Sequence, residues 1–297
     1  MSLLSGRLGL DTVRIPHSSR HGYIFLERGS LSVESGCITF STTGFSSFPP
    51  GLYELPHQSI STIILGPGTS ISHDAFRVAS MNSTQILVTG VGGVRIYCAP
   101  PLMPDRSKVA RNHATQWADT NRRLHLARKM YAWRLGEVLP ARDLDILRGI
   151  EGSRMKSLYK LLAQKHGIDW ERRDYDRGNP NASDDPNMAI NHAATAMYAA
   201  ATIATYIVGA IPQLGFIHEA SGDAFCLDIA DLYRDKVTIP VAFSAVRQLK
   251  DDPDLNIERH IRQEIGSRLK EKGLMDDMID KIKELFDGYD GSDNNQR

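Results

Sequence analysis

A chain of 297 residues can bury a sizeable core in one large domain or in two modest ones. Its 35 basic and 35 acidic side chains cancel, which excludes a protein that is basic throughout, as many nucleic-acid binders are. Three scattered cysteines exclude a disulfide framework and, with no signal peptide recognisable, indicate a cytoplasmic chain with reduced thiols.

The first hundred residues have the pattern of short strands. Residues 1–20 show no period and are expected to form a loose extension. Beyond them, β-branched segments such as YIFLERG, LSVESGCITFST and QILVTG are bounded by Gly, Pro, Ser and Asn. One short helix, HDAFRVASM, interrupts them with Ser72 as its N-cap, and the glycines of GVGGVR predict a hairpin turn rather than a phosphate loop. These patterns predict a small β-sandwich over residues 1–100.

The rest of the chain is predicted to be almost entirely helical. The Pro-rich segment APPLMPDRS marks a linker at residues 101–106. Amphipathic periods then predict helices over residues 108–135, 142–165, 187–211, 225–233, 241–249 and 257–286. Residues 287–297 have the composition of a disordered tail. The predicted fold class is α+β, with an N-terminal β-sandwich followed by an all-α domain over residues 107–286.

The longest apolar run, residues 193–211, raises the question of a membrane span. It is rich in Ala and Thr, is interrupted by Tyr198 and Tyr206, and has no basic flank. A helix that is apolar nearly all round is then expected to form the buried centre of a helical domain. The sequence therefore predicts no contact with a membrane.

Charge is unevenly distributed along the chain. Residues 106–173 contain 16 basic and 7 acidic side chains, whereas residues 251–297 contain 13 acidic and 8 basic ones. In the basic middle, charged residues recur at helical spacing near aromatic ones, which favours a nucleic-acid surface. A solvated helix face is the alternative interpretation of the same pattern.

Two acids in the segment FCLDIAD are the first candidates for chemistry. Asp228 and Asp231 would lie one turn apart on the same face of a helix, shortly after His218. Carboxylates held that close in apolar surroundings need protons, a cation or solvent, and the nearby imidazole suggests a cation. Oxygen ligands with one imidazole are typical of Mg²⁺ or Mn²⁺ sites rather than of structural zinc.

Glu151 is the third acid of this set. It falls four residues after Leu147 and four before Met155, inside the apolar stripe of a predicted helix, where a carboxylate is costly unless it is paired. One interpretation is a buried salt bridge to Arg148 or Arg154, each about one turn away. The combination of this acid with the other two and a histidine favours a functional site.

Three segments carry a resemblance to a known family. RGIEGSRMKSLY, GFIHEASGDAFCLDIADLYR and GPGTSISHDAFRVAS strongly resemble CRISPR-associated protein one, with a subtype I-E character. The resemblance runs from about Tyr23 to the helix around Arg262. It implies a metal-dependent integrase and DNA endonuclease that inserts new spacers into CRISPR arrays.

The resemblance also implies roles for individual residues. Glu151, His218 and Asp231 match the metal ligands of the family, and Asp228 matches a neighbouring acid that is needed for activity in relatives, which makes all four catalytic candidates with Mg²⁺ or Mn²⁺ as cofactor. The implied reaction is attack by a 3′-hydroxyl of captured DNA on a phosphodiester at the edge of the CRISPR repeat, and water in place of the hydroxyl would give hydrolysis.

The implied partners are DNA, as spacer precursor and as CRISPR repeat, a second copy of the chain in a homodimer, and a small ferredoxin-like CRISPR-associated protein. The β-sandwich would make dimer and DNA contacts. Backbone contacts from basic side chains dominate such DNA affinity. The candidate DNA contacts are Arg95, Arg148, Arg154, Arg173, Tyr175 and Arg234.

Two other functions remain compatible with these residues. A stand-alone metal-dependent DNase acting on branched or single-stranded DNA would use the same ligands, and a non-catalytic DNA-binding scaffold would need only the basic middle. The chain also departs from its I-E relatives: HEASGDAF lacks their Lys after the histidine and adds Glu219 and Asp223, and Leu227 replaces a Tyr. These departures concern how the DNA end is positioned and leave the implied metal ligands unchanged.

Overall fold

The structure is a computed structural model that describes residues 22–45, 48–82, 84–98, 107–137, 143–174, 184–271 and 273–286. The expected N-terminal extension, the linker and the tail lie outside these residues. The chain divides into two compact units. The first contains the described residues up to Thr89 and those between 97 and 108, and the second contains Gly90–Ile96 and the described residues from Val109 onward.

The first unit contains two four-stranded sheets. One has the order β1-β5-β7-β8, and its strands β1, β5 and β7 run parallel. The other has the order β4-β3-β2-β6, with antiparallel pairing of β2, β3 and β4 and parallel pairing of β6 with β2. The strands are β1 Gly22–Leu26, β2 Gly29–Glu34, β3 Cys37–Thr42, β4 Gly51–Leu55, β5 Ile60–Leu65, β6 Thr69–Ile71, β7 Gln85–Thr89 and β8 Ile96–Cys98.

Apolar side chains from both sheets and from helix α1, His73–Met81, form one core. Among them are Leu31, Phe40 and Ile63, which are buried because alternate residues of each strand face the opposite sheet. The Ser72 hydroxyl accepts a hydrogen bond from the Ala75 N–H at 3.2 Å, as the predicted N-cap should. The predicted sandwich is thereby confirmed, with one short helix whose buried face packs on its core.

The glycine-rich segment after β7 is a turn, as predicted. Val91–Gly93 form one short 3₁₀ turn, and the Gly90 N–H donates to the Arg95 carbonyl at 2.8 Å. Gly92 and Gly93 have φ values of 66° and 75°, which favour glycine at both positions. The segment leads back into β8, beside β7 in the sheet, and begins no helix that could receive a phosphate.

The second unit is helical, and together the two units confirm the predicted α+β class. Within the described residues its helices are α2 Lys108–Ala118, α3 Thr120–Leu135, α4 Leu144–His166, α5 Asp185–Val208, α6 Ala224–Asp231, α7 Ile239–Asp251, α8 Ile257–Glu271 and α9 Leu274–Phe286, with a π-helical segment Arg234–Thr238 after α6.

Two segments that were each predicted to be one helix are divided into two helices in the structure. The period over residues 108–135 breaks at Asp119, whose side chain caps α3 by accepting from the N–H groups of Asn121 and Arg122. The period over residues 257–286 breaks around Gly273, which has a φ of 66° and separates α8 from α9. In both places the apolar pattern continues across a local stop signal, so the prediction of single helices is wrong.

Helix α5 is the buried centre of the helical unit, as its apolar sequence predicts. It packs against α6, α7, α8 and α9, and most of its side chains are buried. Asp184 caps its start by accepting from the Asn187 N–H at 2.9 Å, and Gly209 ends it with a φ of 82°. Within the described part of the chain, no helix is both long enough and apolar enough to cross a membrane.

Candidate functional site

The four predicted catalytic side chains line one cavity of about 150 Å³ in the helical unit. Glu151 comes from α4, His218 from the loop between α5 and α6, and Asp228 and Asp231 from α6. The wall is completed by Met130, Tyr131, Arg134, Arg148, Ile217 and Leu232. Residues that are 80 positions apart in sequence are therefore brought together, as the resemblance implies.

Packing between α3 and α4 turns Glu151 toward this cavity. Tyr131 of α3 and Leu147 of α4 are buried against each other in a small apolar cluster that also includes Ile217 from the histidine loop. Leu147 precedes Glu151 by one helical turn and lies on the same face of α4. The side chain of Glu151 keeps 22% of its surface exposed, so it lies at the cavity wall rather than in the core.

Asp228 is fully buried and is satisfied by the loop before it. Its carboxylate accepts backbone N–H groups of Phe216 at 2.6 Å, Ile217 at 3.0 Å and His218 at 2.9 Å. The expected repulsion between Asp228 and Asp231 is thus relieved for Asp228 by hydrogen bonds within the protein. Asp228 is therefore placed to orient the loop that carries His218.

The same carboxylate fixes the imidazole of His218. Asp228 Oδ1 lies 2.7 Å from His218 Nδ1, which therefore donates, and Nε2 is left to face Asp231, whose Oδ2 lies 3.9 Å away. The hydrogen bond that His218 donates to Asp228 raises the pKa of His218 above its ordinary value, against the effect of burial. A carboxylate that holds one ring nitrogen while the other faces a cavity is the usual arrangement behind a metal-bound histidine.

Two side chains of α2 hold the backbone that leads to His218. The Trp117 indole donates to the Gly215 carbonyl at 2.9 Å. Gly215 itself is required by space, because an added Cβ would lie 2.3 Å from the His218 carbonyl oxygen and 2.7 Å from the Ala224 Cβ. His113 bonds the same loop on both ring nitrogens, accepting from the Ile211 N–H at 3.1 Å and donating to the Leu214 carbonyl at 2.7 Å.

His113 is expected to make the protein acid-sensitive. It is buried among Phe216, Phe225 and Phe286, and burial lowers its pKa from 6.5 to about 4. The unfolded chain then binds the proton more tightly, so stability from this group is fully present above pH 6.5 and is lost as the pH falls to about 4. At about 1.4 kcal/mol per pKa unit, the loss is about 3 kcal/mol.

Chemical denaturation at a series of pH values between 7 and 4 measures this loss. In the His113→Gln variant the fall in unfolding free energy over that range should be smaller by about 3 kcal/mol, because the other titrating groups are the same in both proteins. Equal falls in the two proteins would contradict the assignment to His113.

Arg134 of α3 is the main site residue that sequence reasoning missed. Its side chain is only 5% exposed, and its guanidinium contacts Glu151 at 2.8 Å, Asp235 at 3.0 Å and Asp231 at 3.9 Å. Burial disfavours the charge, but Asp231, Glu151 and Asp235 outweigh it and raise the pKa of Arg134. A signal was available, since Arg134 follows the buried Met130 by one helical turn and so shares its face.

The alternative interpretation of Glu151, a salt bridge to Arg148 or Arg154, is therefore wrong. Arg148 instead contacts Asp145 at 2.9 Å and donates to the Ile217 carbonyl at 2.6 Å, and Arg154 pairs with Glu137. The i,i+3 spacing places these arginines near Glu151 on α4, but each forms its ion pair with another carboxylate. A residue on the neighbouring helix provides the counter-charge, which spacing along one helix could not reveal.

The candidate DNA contacts separate into two groups. Arg148 lines the cavity, and Arg234 reaches its edge by contacting Asp231 and the Tyr159 hydroxyl, each at 3.2 Å. The others are not brought to the cavity: Arg154 pairs with Glu137, Arg95 with Glu258, and Arg173 bonds Asn187 and Asn191 at the start of α5. Tyr175 lies outside the described residues.

The donor set fits a divalent metal ion by its chemistry. Two carboxylates and an imidazole nitrogen that faces the same cavity are ligands that Mg²⁺ and Mn²⁺ accept. As the side chains stand, however, no group of three His, Cys, Asp or Glu residues within the described ranges is close enough to hold an ion. The guanidinium of Arg134 instead lies in contact with both Glu151 and Asp231.

Comparison with known proteins links this site to one family. The family model for CRISPR associated protein Cas1 matches residues 133–276. Two relatives, each called CRISPR-associated endonuclease Cas1, come from Geobacter sulfurreducens and Escherichia coli K12. The first is 32% identical over 92% of this chain and 86% of its own, and the second is 34% identical over 82% and 78%. A crystal structure of a TtCas1–DNA complex superposes with a TM-score of 0.80 at 31% identity, covering 90% of this chain and 97% of that one.

Proposed function

This chain belongs to the CRISPR-associated Cas1 family, and on that basis we propose that it is a metal-dependent DNA integrase and endonuclease that inserts new spacers into a CRISPR array. A 3′-hydroxyl of the spacer precursor would attack a phosphodiester at the edge of the repeat. The main support is the cavity that Glu151, His218 and Asp231 share, with His218 held by a buried carboxylate.

The residues of the cavity suit the steps of such a reaction. Glu151, Asp231 and His218 Nε2 would hold Mg²⁺ or Mn²⁺, which when bound polarises the phosphoryl oxygen and stabilises the charge that develops on it. Asp228 holds the proton of the neutral His218 ring on Nδ1, which leaves Nε2, the nitrogen that faces Asp231, free to bind an ion. Arg148 and Arg234 are placed beside the acids, where their positive charge can hold DNA phosphates.

The proposal includes partners and a location. The chain would act in the cytoplasm as a homodimer with the small ferredoxin-like CRISPR-associated protein, on spacer precursor and CRISPR repeat DNA. All five candidate arginines that the structure describes already have partners within the protein, so phosphate contacts by any of them would require an exchange of partners. Arg148 and Arg234 are the first DNA contacts to test because, of these five, they lie at the cavity.

A second candidate is a stand-alone metal-dependent DNase. The curated relatives are named endonucleases, and water attacking in place of the 3′-hydroxyl would use the same side chains. The integrase would require a repeat-bearing target and the small partner protein, whereas the stand-alone DNase would require neither.

Joining of a short DNA with a free 3′-hydroxyl to a supercoiled plasmid that bears the repeat tests the proposal. With Mn²⁺ and the small partner, we expect joined products from the wild type and a loss of at least about a hundredfold in Glu151→Gln, which removes one carboxylate charge. Glu264→Gln is the matched control, because Glu264 pairs with Arg268 on α8 and does not line the cavity.

The outcomes separate the candidates. Cutting without joining would favour the DNase, whereas DNA binding with neither activity would favour a scaffold. Equal joining by Glu151→Gln and wild type would contradict the proposed role of the cavity.

A further inference from the structure

The two proposed carboxylate ligands are already neutralised from within the protein. Arg134 Nη2 lies 2.8 Å from Glu151 Oε1, and Nη1 lies 3.9 Å from Asp231 Oδ2. Arg234 also pairs with Asp231, but its other terminal nitrogen bonds Tyr159, so its contact reaches one ligand while that of Arg134 reaches both. Arg134 thus has the electrostatic position that a bound cation would need.

Arg134 makes a hydrogen bond to Asp235, whereas its contact with Glu151 is an ion pair without an aligned hydrogen bond. Its Nε donates an aligned hydrogen bond to Asp235 at 3.0 Å, and Asp235 lies in the π-helical segment outside the cavity wall. Its buried Nη2, by contrast, makes no aligned hydrogen bond to any residue that the structure describes, despite its short distance to Glu151. The guanidinium is therefore fixed at its base, while its tip is held in the cavity by charge alone.

We propose that Arg134 is a positioning residue whose guanidinium stands in for the divalent ion in the metal-free site, and that it gives up Glu151 and Asp231, but not Asp235, when the ion binds. The inference rests on the proposed function, since it takes Glu151, His218 and Asp231 as the ligands. Metal binding is then an exchange of one cation for another. Without any cation the two acids would repel each other in a partly buried cavity.

Arg134→Gln tests this exchange without any DNA. The amide removes the competing charge, so we expect Mn²⁺ to bind roughly tenfold more tightly by calorimetry, because the ion no longer displaces a guanidinium. The same variant in EDTA should melt at a lower temperature than the wild type, and Mn²⁺ should raise its melting temperature more. Arg268→Gln, which removes the same charge from a pair on α8, should match the wild type in all three measurements.

The conservative change separates charge from packing. Arg134→Lys keeps a positive charge at the site, so its Mn²⁺ affinity should stay within about threefold of the wild type. If Arg134→Lys bound Mn²⁺ as tightly as Arg134→Gln, or if Arg134→Gln bound it no more tightly than the wild type, the exchange would be refuted. Should Arg134→Gln not fold in EDTA, Mn²⁺ must restore its folding, and failure to do so would also refute the proposal.

The same Mn²⁺ titration of His218→Ala separates a failure of the role proposed for Arg134 from a failure of the proposed metal centre. Loss of Mn²⁺ binding in His218→Ala together with unchanged binding in Arg134→Gln would leave the metal centre in place and remove only the role of Arg134. Unchanged binding in His218→Ala would instead show that the ion binds elsewhere, so that the proposed centre and the inference both fail.

Discussion

Replacing His218 by alanine is expected to lower Mn²⁺-dependent DNA joining and cleavage at least about a hundredfold. The imidazole is the one nitrogen ligand proposed for the ion, and its Nε2 faces Asp231 across 3.9 Å. The fold should tolerate the change, with a loss of no more than about 1 kcal/mol in unfolding free energy. The ring is 38% exposed, and the backbone hydrogen bond from His218 to Asp228 remains without it.

Product formation under single-turnover conditions measures the loss, and denaturant unfolding shows that the variant is folded. His260→Ala is a suitable control, since His260 is a half-buried histidine of α8 that does not line the cavity. Activity of His218→Ala within a few-fold of the control would remove His218 from the chemistry. A matching fall in stability would instead assign it a structural role.

Asp228→Ala is expected to have the largest effect on stability, a loss of about 3–5 kcal/mol in unfolding free energy. The change removes a fully buried carboxylate and leaves the N–H groups of Phe216, Ile217 and His218 without their acceptor. DNA joining should fall as well, because the His218 ring loses the group that orients it.

Equilibrium unfolding in urea measures this change. Asp280→Ala, which removes an exposed carboxylate of α9 paired with Lys283 at 3.8 Å, should alter stability by no more than about 0.5 kcal/mol. A loss below 1 kcal/mol for Asp228→Ala would mean that the bonds from His113 and Trp117 hold the loop without help from Asp228.

The sequence was sufficient for the fold class because strand alternation and helical periods are local signals. It was insufficient for helix ends where a stop signal lies inside a continuing apolar period, as at Asp119 and Gly273. Capping by a single side chain or a positive φ at one glycine decides such a break, and neither changes the average pattern. Boundaries set by one residue are therefore where the predicted helices were wrong.

The candidate site, like the fold, was predictable only in part. Acids in apolar stripes are conspicuous, so Glu151 and Asp228 stand out from the amino-acid sequence alone. The partner of Glu151 does not, because Arg134 reaches it from another helix through the packing of α3 on α4. Arg173 is predicted to contact DNA because of its charge, and in the fold its guanidinium donates to the Asn187 side chain at 2.9 Å, a contact that no local sequence pattern indicates.

The tie between Asp228 and the main chain has a consequence for how this protein can diverge. The Asp228 carboxylate accepts hydrogen bonds from backbone N–H groups, which every residue except proline supplies. The position of this carboxylate, and with it the direction of the His218 ring, therefore does not depend on which side chains the loop carries at Phe216 and Ile217. The side chains of Glu219, Asp223 and Leu227, where the sequence departs from the I-E pattern that it resembles, make none of the hydrogen bonds described for Asp228. Substitutions at these three positions are therefore expected to leave the hydrogen bonds that fix the His218 ring unchanged.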